Sequence, residues 1–289
     1  MIKTWLITGC SNGLGLHIAE AALARGDQVL ATARNPDTLG ELEKRFPGQV
    51  GIARLDVTQP ETATQAIALA AQAFGGIDVL VNNAGYGLMG AVEEAVVSEY
   101  RPLFETNVFG LIEVTRAALP TLRRQSGRIV NISSGAGIAG AAGYGYYNAT
   151  KFAVEGLSEA LAQEVAPLGM RVIIVEPGPF RTEFLGRSIA IAAQQIPAYA
   201  ATAGKLREYR QSNHGLQAGD PVKAAAVILL AVDSDEPPLH LPLGPIAFDI
   251  AERKLAAFRE DLEAWRNTAI DTNYLMAWPR HGWEGRRRR

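Results

Sequence analysis

The chain has 289 residues, of which 48% are apolar and 20% charged, and its formal net charge is −2 at pH 7. This is an ordinary globular composition, long enough for one large α/β domain, and it carries no basic surface suited to nucleic acid. A lone cysteine, Cys10, excludes an intrachain disulfide, and no apolar run reaches the length of a membrane span or a signal-peptide core, so a cytoplasmic protein is expected.

In chain order, Trp5–Ile7 predicts a buried strand, the loop Thr8 to Gly15 follows, and Gly13 to Arg25 predicts a helix closed by Gly26. Val29–Ala33 predicts a second strand, after which Asn35 and Pro36 occupy N-cap and N1 positions of a helix carrying Leu39, Leu42 and Phe46. A third strand is expected over Gly51 to Val57, and Thr58 and Pro60 open a helix through Ile67 and Phe74. Val79–Val81, Arg128–Ile132 and Val172–Val175 supply the fourth, fifth and sixth strands. Near-continuous apolar strands alternating with helices imply a parallel sheet covered on both faces. The fold class is therefore α/β: a single-domain, doubly wound, Rossmann-like fold. The expected organisation is a main domain over residues 1–250, with a variable substrate lid at about 183–220. A helical extension and the basic tail Arg286–Arg289 fill 251–289. Within that extension Leu255, Phe258, Leu262 and Trp265 recur at helical spacing.

Two stretches carry chemistry. The loop Thr8-Gly9-Cys10-Ser11-Asn12-Gly13-Leu14-Gly15 joins a strand to a helix. Its glycines let the backbone turn tightly and approach a pyrophosphate, whose charge then sits at the positive helix N-terminus. Its Gly-x-x-x-Gly-x-Gly spacing differs from the common dinucleotide fingerprint, but its place is the one such a motif requires. Cys10 reads there as a small residue without a thiolate role. The second stretch is Ser133-Ser134 with Tyr147-Asn148-Ala149-Thr150-Lys151. Residues four apart share a helix face, and a nearby ammonium favours a phenolate. Tyr147 with Lys151 is thus a candidate general acid/base pair, beside a serine hydroxyl able to hold a carbonyl oxygen. Histidines at metal-ligand spacing are absent from the sequence, and this chemistry needs no metal.

With these motifs in order, the sequence resembles the short-chain dehydrogenase/reductase family. The resemblance runs from Thr4 to about Thr182 through the glycine loop, Leu55-Asp56-Val57, Asn82-Asn83-Ala84-Gly85, Asn107, Asn131-Ile132-Ser133-Ser134, Tyr147-x-x-x-Lys151 and Pro177-Gly178-Pro179-Phe180-Arg181-Thr182. The wording of Lys151 to Leu157 is similar to the 17β-hydroxysteroid dehydrogenase-like branch. The resemblance implies catalytic roles for Asn107, Ser134, Tyr147 and Lys151. Ser134 stands thirteen residues before the tyrosine, the family's spacing for the substrate-contacting serine, and with Tyr147 would bind substrate. Of the three tyrosines in Tyr144-Gly145-Tyr146-Tyr147 only Tyr147 has a lysine four residues on; Tyr146 is expected to pack and Tyr144 to line a pocket. Cofactor contacts are implied at Gly9, Ser11, Asn12, Gly13, Leu14, Gly15, Arg34, Asp56, Val57, Asn83, Ala84 and Gly85. Further along they are implied at Asn107, Tyr147, Lys151, Pro177, Gly178, Phe180 and Thr182. Within this set, Asp56 would meet the adenine, Lys151 the nicotinamide ribose and Thr182 the carboxamide. Asn107 would interrupt a helix and help hold a water linking the lysine to solvent.

The end of the second strand, Thr32-Ala33-Arg34, carries no carboxylate for a ribose hydroxyl and a guanidinium suited to a 2′-phosphate, which favours NADP(H) over NAD(H). The expected reaction is hydride transfer between a carbonyl and a secondary alcohol. Its expected partner is a small, apolar carbonyl or alcohol substrate, with neither nucleic acid nor membrane involved. Phe184, Leu185, Ile189, Ile191, Ile196, Tyr199 and Leu206, with Leu88, Met89 and Tyr144, either cover such a substrate or pack an insertion on itself. The alternatives are a non-catalytic dinucleotide-sensing regulator, which would lack the tyrosine, lysine or serine, and a nucleotide-sugar epimerase, which has a different glycine spacing. Pairing along the helix that carries Tyr147 would give a homodimer or homotetramer.

Overall fold

A computed structural model describes residues 2–272. All four side chains of β1 (Thr4–Ile7) are buried. Trp5 and Ile7 join one apolar cluster and Leu6 joins another, as the two-residue period of a pleated strand requires. The same alternation in β2 (Gln28–Ala33) sends Val29 and Ala31 to the first cluster and Leu30 to the second. Two apolar faces must each be covered, and helices cover both.

After β1 the chain forms α1 (Gly13–Ala24), β2, a 3₁₀ turn (Pro36–Leu39) leading into α2 (Gly40–Arg45), β3 (Val50–Arg54), α3 (Pro60–Phe74) and β4 (Val79–Asn82). There follow β5 (Gly87–Met89), α4 (Val97–Phe104), a π-helical turn (Glu105–Gly110), α5 (Leu111–Gln125), β6 (Arg128–Ile132), the single turn α6 (Gly135–Ile138), α7 (Gly145–Val165) and β7 (Arg171–Pro177). The remaining elements are β8 (Ile189–Ile191), α8 (Lys205–Asn213), α9 (Pro221–Asp233), β9 (His240–Leu243) and α10 (Pro245–Ala269). Residues of α1 and α9 pack in the first cluster; α3, α5 and α7 supply Ala66, Ala118 and Leu161 to the second.

The main sheet runs β3-β2-β1-β4-β6-β7-β9, and every neighbouring pair is parallel. This is the doubly wound, Rossmann-like sheet expected from the sequence. The chain steps outward from β1 to β3, then returns to the other side of β1 at β4. That reversal opens a crevice above the carboxyl ends of the strands, where such sheets bind ligands. Three features depart from the sequence reading. The third strand stops at Arg54, because Asp56 instead accepts hydrogen bonds from Thr58 and its own N–H is taken by the Thr62 hydroxyl. A seventh strand, β9, was not anticipated in His240–Leu243; Pro242 is tolerated because β9 lies at the sheet edge. The third is a small second sheet in which β5 pairs in parallel with β8.

The chain divides into two compact units, Met1–Ala251 and Glu252–Arg289. Every site residue discussed below belongs to the first. In the second, the described residues are helical through Ala269, and Leu255, Phe258, Leu262 and Trp265 are exposed. Arg286–Arg289 lies outside the described residues. Among the described residues no helix is long and apolar enough to cross a membrane.

Candidate active site

The glycine loop is braced from β4. The Thr8 hydroxyl accepts the backbone N–H groups of Asn83 and Ala84, both at 2.9 Å, and Asn83 Nδ2 donates to Thr8 O and Gly9 O. Gly9 and Gly13 hold φ of +72° and +62°, a region side chains disfavour. A Cβ on Gly15 would strike Asn83 Nδ2 and stand 2.6 Å from Gly9 O, so this glycine permits close packing rather than a ligand contact. Cys10 is buried, its thiol directed at Ile7 O and pushed up to about 12 by that burial, in keeping with an inert packing role.

At the start of α1 the Asn12 side chain makes no capping bond, and no acidic residue occupies the first turn. The leading N–H groups of a helix unserved by side chains suit an anion such as a pyrophosphate. A cavity of about 960 Å³ runs from this point along the strand ends. Gly9, Ser11, Asn12, Gly13 and Leu14 line it at the helix end, Arg34, Asp56 and Val57 beside β2 and β3, and Asn83, Ala84 and Gly85 after β4. Ser134, Tyr147, Lys151, Pro177, Gly178, Phe180 and Thr182 complete its far wall. The size and donor set fit a dinucleotide. Of the positions named from the sequence, Gly15 and Asn107 stand outside the lining. Asn107 sits in the π-helical turn, where its Oδ1 accepts Tyr86 N–H and its Nδ2 donates to Tyr86 O and Thr150 Oγ1. The expected helix interruption is there, and the side chain joins it to the loop after β4.

Ser134 ends the loop after β6 and caps α6, accepting the Ala136 N–H. Its hydroxyl also acts on the Tyr147 phenol, pulling its pKa down. Lys151, one turn along α7, donates to Ile132 O at 2.7 Å, with its Nζ 5.7 Å from the Tyr147 ring centre. Burial pushes Tyr147 up to about 12, Ser134 pulling against it, and pushes Lys151 down to about 8, with Glu155 pulling against it. The sequence reading expected the ammonium to lower the phenol. Here burial raises the phenol, with Ser134 the group opposing it, and burial likewise weakens the ammonium itself.

One residue that positions this group carried no local signal. Asn148 accepts Ala141 N–H and donates to Ala136 O and Ala139 O, clamping the loop before α7 and so the placement of its neighbour Tyr147. Tyr146 stacks on Tyr100 at 4.6 Å and bonds Val92 O, the packing role expected. Tyr144 lines the cavity and stands 5.6 Å from the Tyr147 ring, with Phe184 at 5.5 Å on that same ring. Of the apolar residues in the 183–220 segment, Phe184, Leu185, Ile189, Ala190 and Tyr209 line the cavity. Met89 and Leu206 pack behind the first three. The β5–β8 pairing and the buried Glu94–Arg207 contact at 2.7 Å fasten this wall.

The family description "short chain dehydrogenase" matches residues 3–190. Oxidoreductase BOA17 of Botryotinia fuckeliana is 41% identical over 272 residues, covering 93% of this chain and 99% of that protein. The crystal structure of a short-chain dehydrogenase from Streptomyces avermitilis superposes with a TM-score of 0.89 at 44% identity, covering 95% of this chain and 100% of that one. An alcohol dehydrogenase from Thermococcus sibiricus, complexed with 5-hydroxy-NADP, has a TM-score of 0.69 at 26% identity, covering 84% and 96%.

Proposed function

The chain belongs to the short-chain dehydrogenase family, and from that membership we propose an NADP(H)-dependent oxidoreductase that interconverts a carbonyl and a secondary alcohol, with Tyr147 as general acid/base. Oxidoreductase chemistry on CH–OH and C=O groups comes with the family. The observation that carries the particular reading is that Ser134, Tyr147 and Lys151 line the same cavity as the glycine loop. A nicotinamide dinucleotide held along that loop would supply or accept the hydride. Ser134 positions the carbonyl oxygen by a hydrogen bond. Tyr147, kept protonated by its burial, gives its proton to that oxygen as it gains negative charge, and takes it back in oxidation. Lys151 lends positive charge beside the phenol. Asp56 and Arg34 would meet the adenosine end, and Thr182 with Pro177 and Gly178 the opposite end. The aromatic and aliphatic wall of Tyr144, Phe184, Leu185 and Ile189 suits an apolar ketone or alcohol. Following NADPH absorbance across a panel of ketones and aldehydes tests the reading: steady consumption supports it. Binding without turnover across the panel would favour a dinucleotide sensor instead.

Arg34 supports NADP(H). It edges the cavity directly after Ala33, and no carboxylate stands at the strand end. Charge-assisted hydrogen bonds to a phosphate are worth about 1.5–3 kcal/mol, so Arg34→Ala is expected to raise KM for NADPH roughly 10- to 100-fold and to leave NADH nearly unaffected. Steady-state kinetics with both cofactors decides it; a wild-type preference for NADH would overturn the assignment.

A cytoplasmic homo-oligomer is part of the same reading. Helix α7 exposes Ala149, Gly156 and Ala160 around Phe152, a face small enough for close helix pairing with a second copy. Light scattering is expected to give a dimer or tetramer and Phe152→Glu a smaller species; a wild-type monomer would discard the pairing.

A further inference from the structure

Behind Lys151 lies a set of charges that the reaction as drawn does not use. Glu155 follows Lys151 by one turn of α7 and is 7% exposed. Facing it are Glu176, 3% exposed on β7, and His240 at the start of β9. His240 Nδ1 lies 2.9 Å from Glu176 Oε1 and 3.6 Å from Glu155 Oε2, while its Nε2 lies 3.8 Å from Glu159 Oε1. On the inner side, the spot where a Cβ on Gly137 would stand is 2.5 Å from Ser133 Oγ and 2.7 Å from Glu155 Oε1. Glycine at 137 thus leaves Ser133 and Glu155 side by side. Glu155 therefore lies one turn from Lys151 and from Glu159 on its own helix, and faces Ser133 from the loop after β6, Glu176 from β7 and His240 from β9. The imidazole side chain is 44% exposed and is the part of the group that reaches water.

Buried carboxylates this close do not all ionise together, and a proton is shared among them. Burial pushes Glu155 up to about 7, with Glu176 and Glu159 pushing the same way and Ser133 and His240 pulling it down. Its charge therefore changes near neutrality, one helical turn from an ammonium that burial has already pushed down.

We propose that Glu155, held against Glu176 and His240, is a positioning residue for the reaction: its carboxylate is the counter-charge that keeps the buried Lys151 ammonium charged, and His240 lets that carboxylate exchange its proton with solvent from the side away from the cavity. The inference rests on Lys151 being the ammonium of the proposed reaction. It implies that the charge of Lys151 is set from behind the active site, on a face no substrate covers.

A direct test titrates the ε-methylene NMR signal of Lys151, assigned by its disappearance in Lys151→Met, and needs no substrate. A negative neighbour raises the pKa of an ammonium, so removing it lowers the midpoint. Glu155→Gln is expected to lower the Lys151 midpoint by about one pH unit. His240→Gln, at a half-exposed position that leaves the core intact, is expected to lower it by less, because Glu155 then holds its proton to higher pH. The alkaline limb of the pH profile for ketone reduction should move down in the same order. An unmoved midpoint in His240→Gln, and in Glu155→Gln if it folds, would reduce the cluster to a packing role and overturn the inference. Turnover retained in Lys151→Met would instead sink the underlying reaction, a separate outcome.

Discussion

Tyr147→Phe is expected to lower kcat for ketone reduction by roughly 10²- to 10⁴-fold, the usual contribution of a positioned general acid, while NADPH still binds. The substitution removes one hydroxyl, the group Ser134 acts on, and keeps the ring that packs against Tyr144 and Phe184. Fold and cavity shape therefore persist, and the loss reads the proton alone. The two reaction directions depend differently on pH. Reduction requires the phenol protonated, and burial, which pushes it up to about 12, supplies that form throughout the neutral range. Alcohol oxidation requires the phenol to lose its proton, so its rate in the wild type should rise with pH. That rise should slacken above the point where Lys151, pushed down to about 8, loses its charge. In Tyr147→Phe the residual oxidation should be nearly flat over the same range. Initial rates in both directions, with cofactor affinity from NADPH fluorescence, make the comparison. Retained turnover in the variant would remove Tyr147 from the chemistry.

Residues close in sequence were the readable part of this site. Trp5–Ile7 and Val29–Ala33 announce strands because a strand covered on both faces is an unbroken apolar run. The glycine loop is recognisable because backbone geometry constrains Gly9 and Gly13 directly, and Tyr147 with Lys151 because one helix turn joins them. What joins distant segments through side chains left no such trace. β5 and β8 have three residues each and lie a hundred positions apart, too short to show a period. Asn148 sits inside the Tyr147–Lys151 motif, yet its three bonds to the preceding loop follow only from how α6 and α7 are joined. His240 approaches Glu155 and Glu176 because β9 pairs beside β7, and the sequence reading had no strand there. The depressed phenol expected from the Tyr147–Lys151 spacing failed for a related reason: spacing reports proximity, whereas desolvation depends on everything packed around the pair.

Removing the charge of Glu94 is expected to produce the largest loss of stability outside the sheet. Its carboxylate is fully buried between Arg207 and two backbone N–H groups, those of Ala91 and Ile196, each at 2.8 Å. Burial pushes this carboxyl up, but Arg207 and the two N–H groups overcome it and bring the group to about 2. Breaking a buried pair by removing one partner leaves the other charge desolvated, at about 3–5 kcal/mol. Glu94→Gln should therefore lower Tm by several degrees, or locally loosen residues 189–207, which these contacts fasten together with the β5–β8 pairing. Because Phe184, Leu185 and Ile189 form the apolar cavity wall, KM for apolar substrates should rise while NADPH affinity, set at the opposite end, stays close to wild type. The pH dependence has a definite sign. A folded pKa depressed below the unfolded value of about 4.3 adds stability above that pH, and the gain is lost as pH falls toward 2. The variant should thus lose its deficit relative to wild type in acid. The double variant Glu94→Leu with Arg207→Met, which leaves no unpaired charge, is expected to recover much of the stability. Thermal melts of the three proteins at pH 7 and pH 3 provide the check; a Glu94→Gln protein with unchanged Tm and unchanged KM would show that the pair does not hold this wall in place.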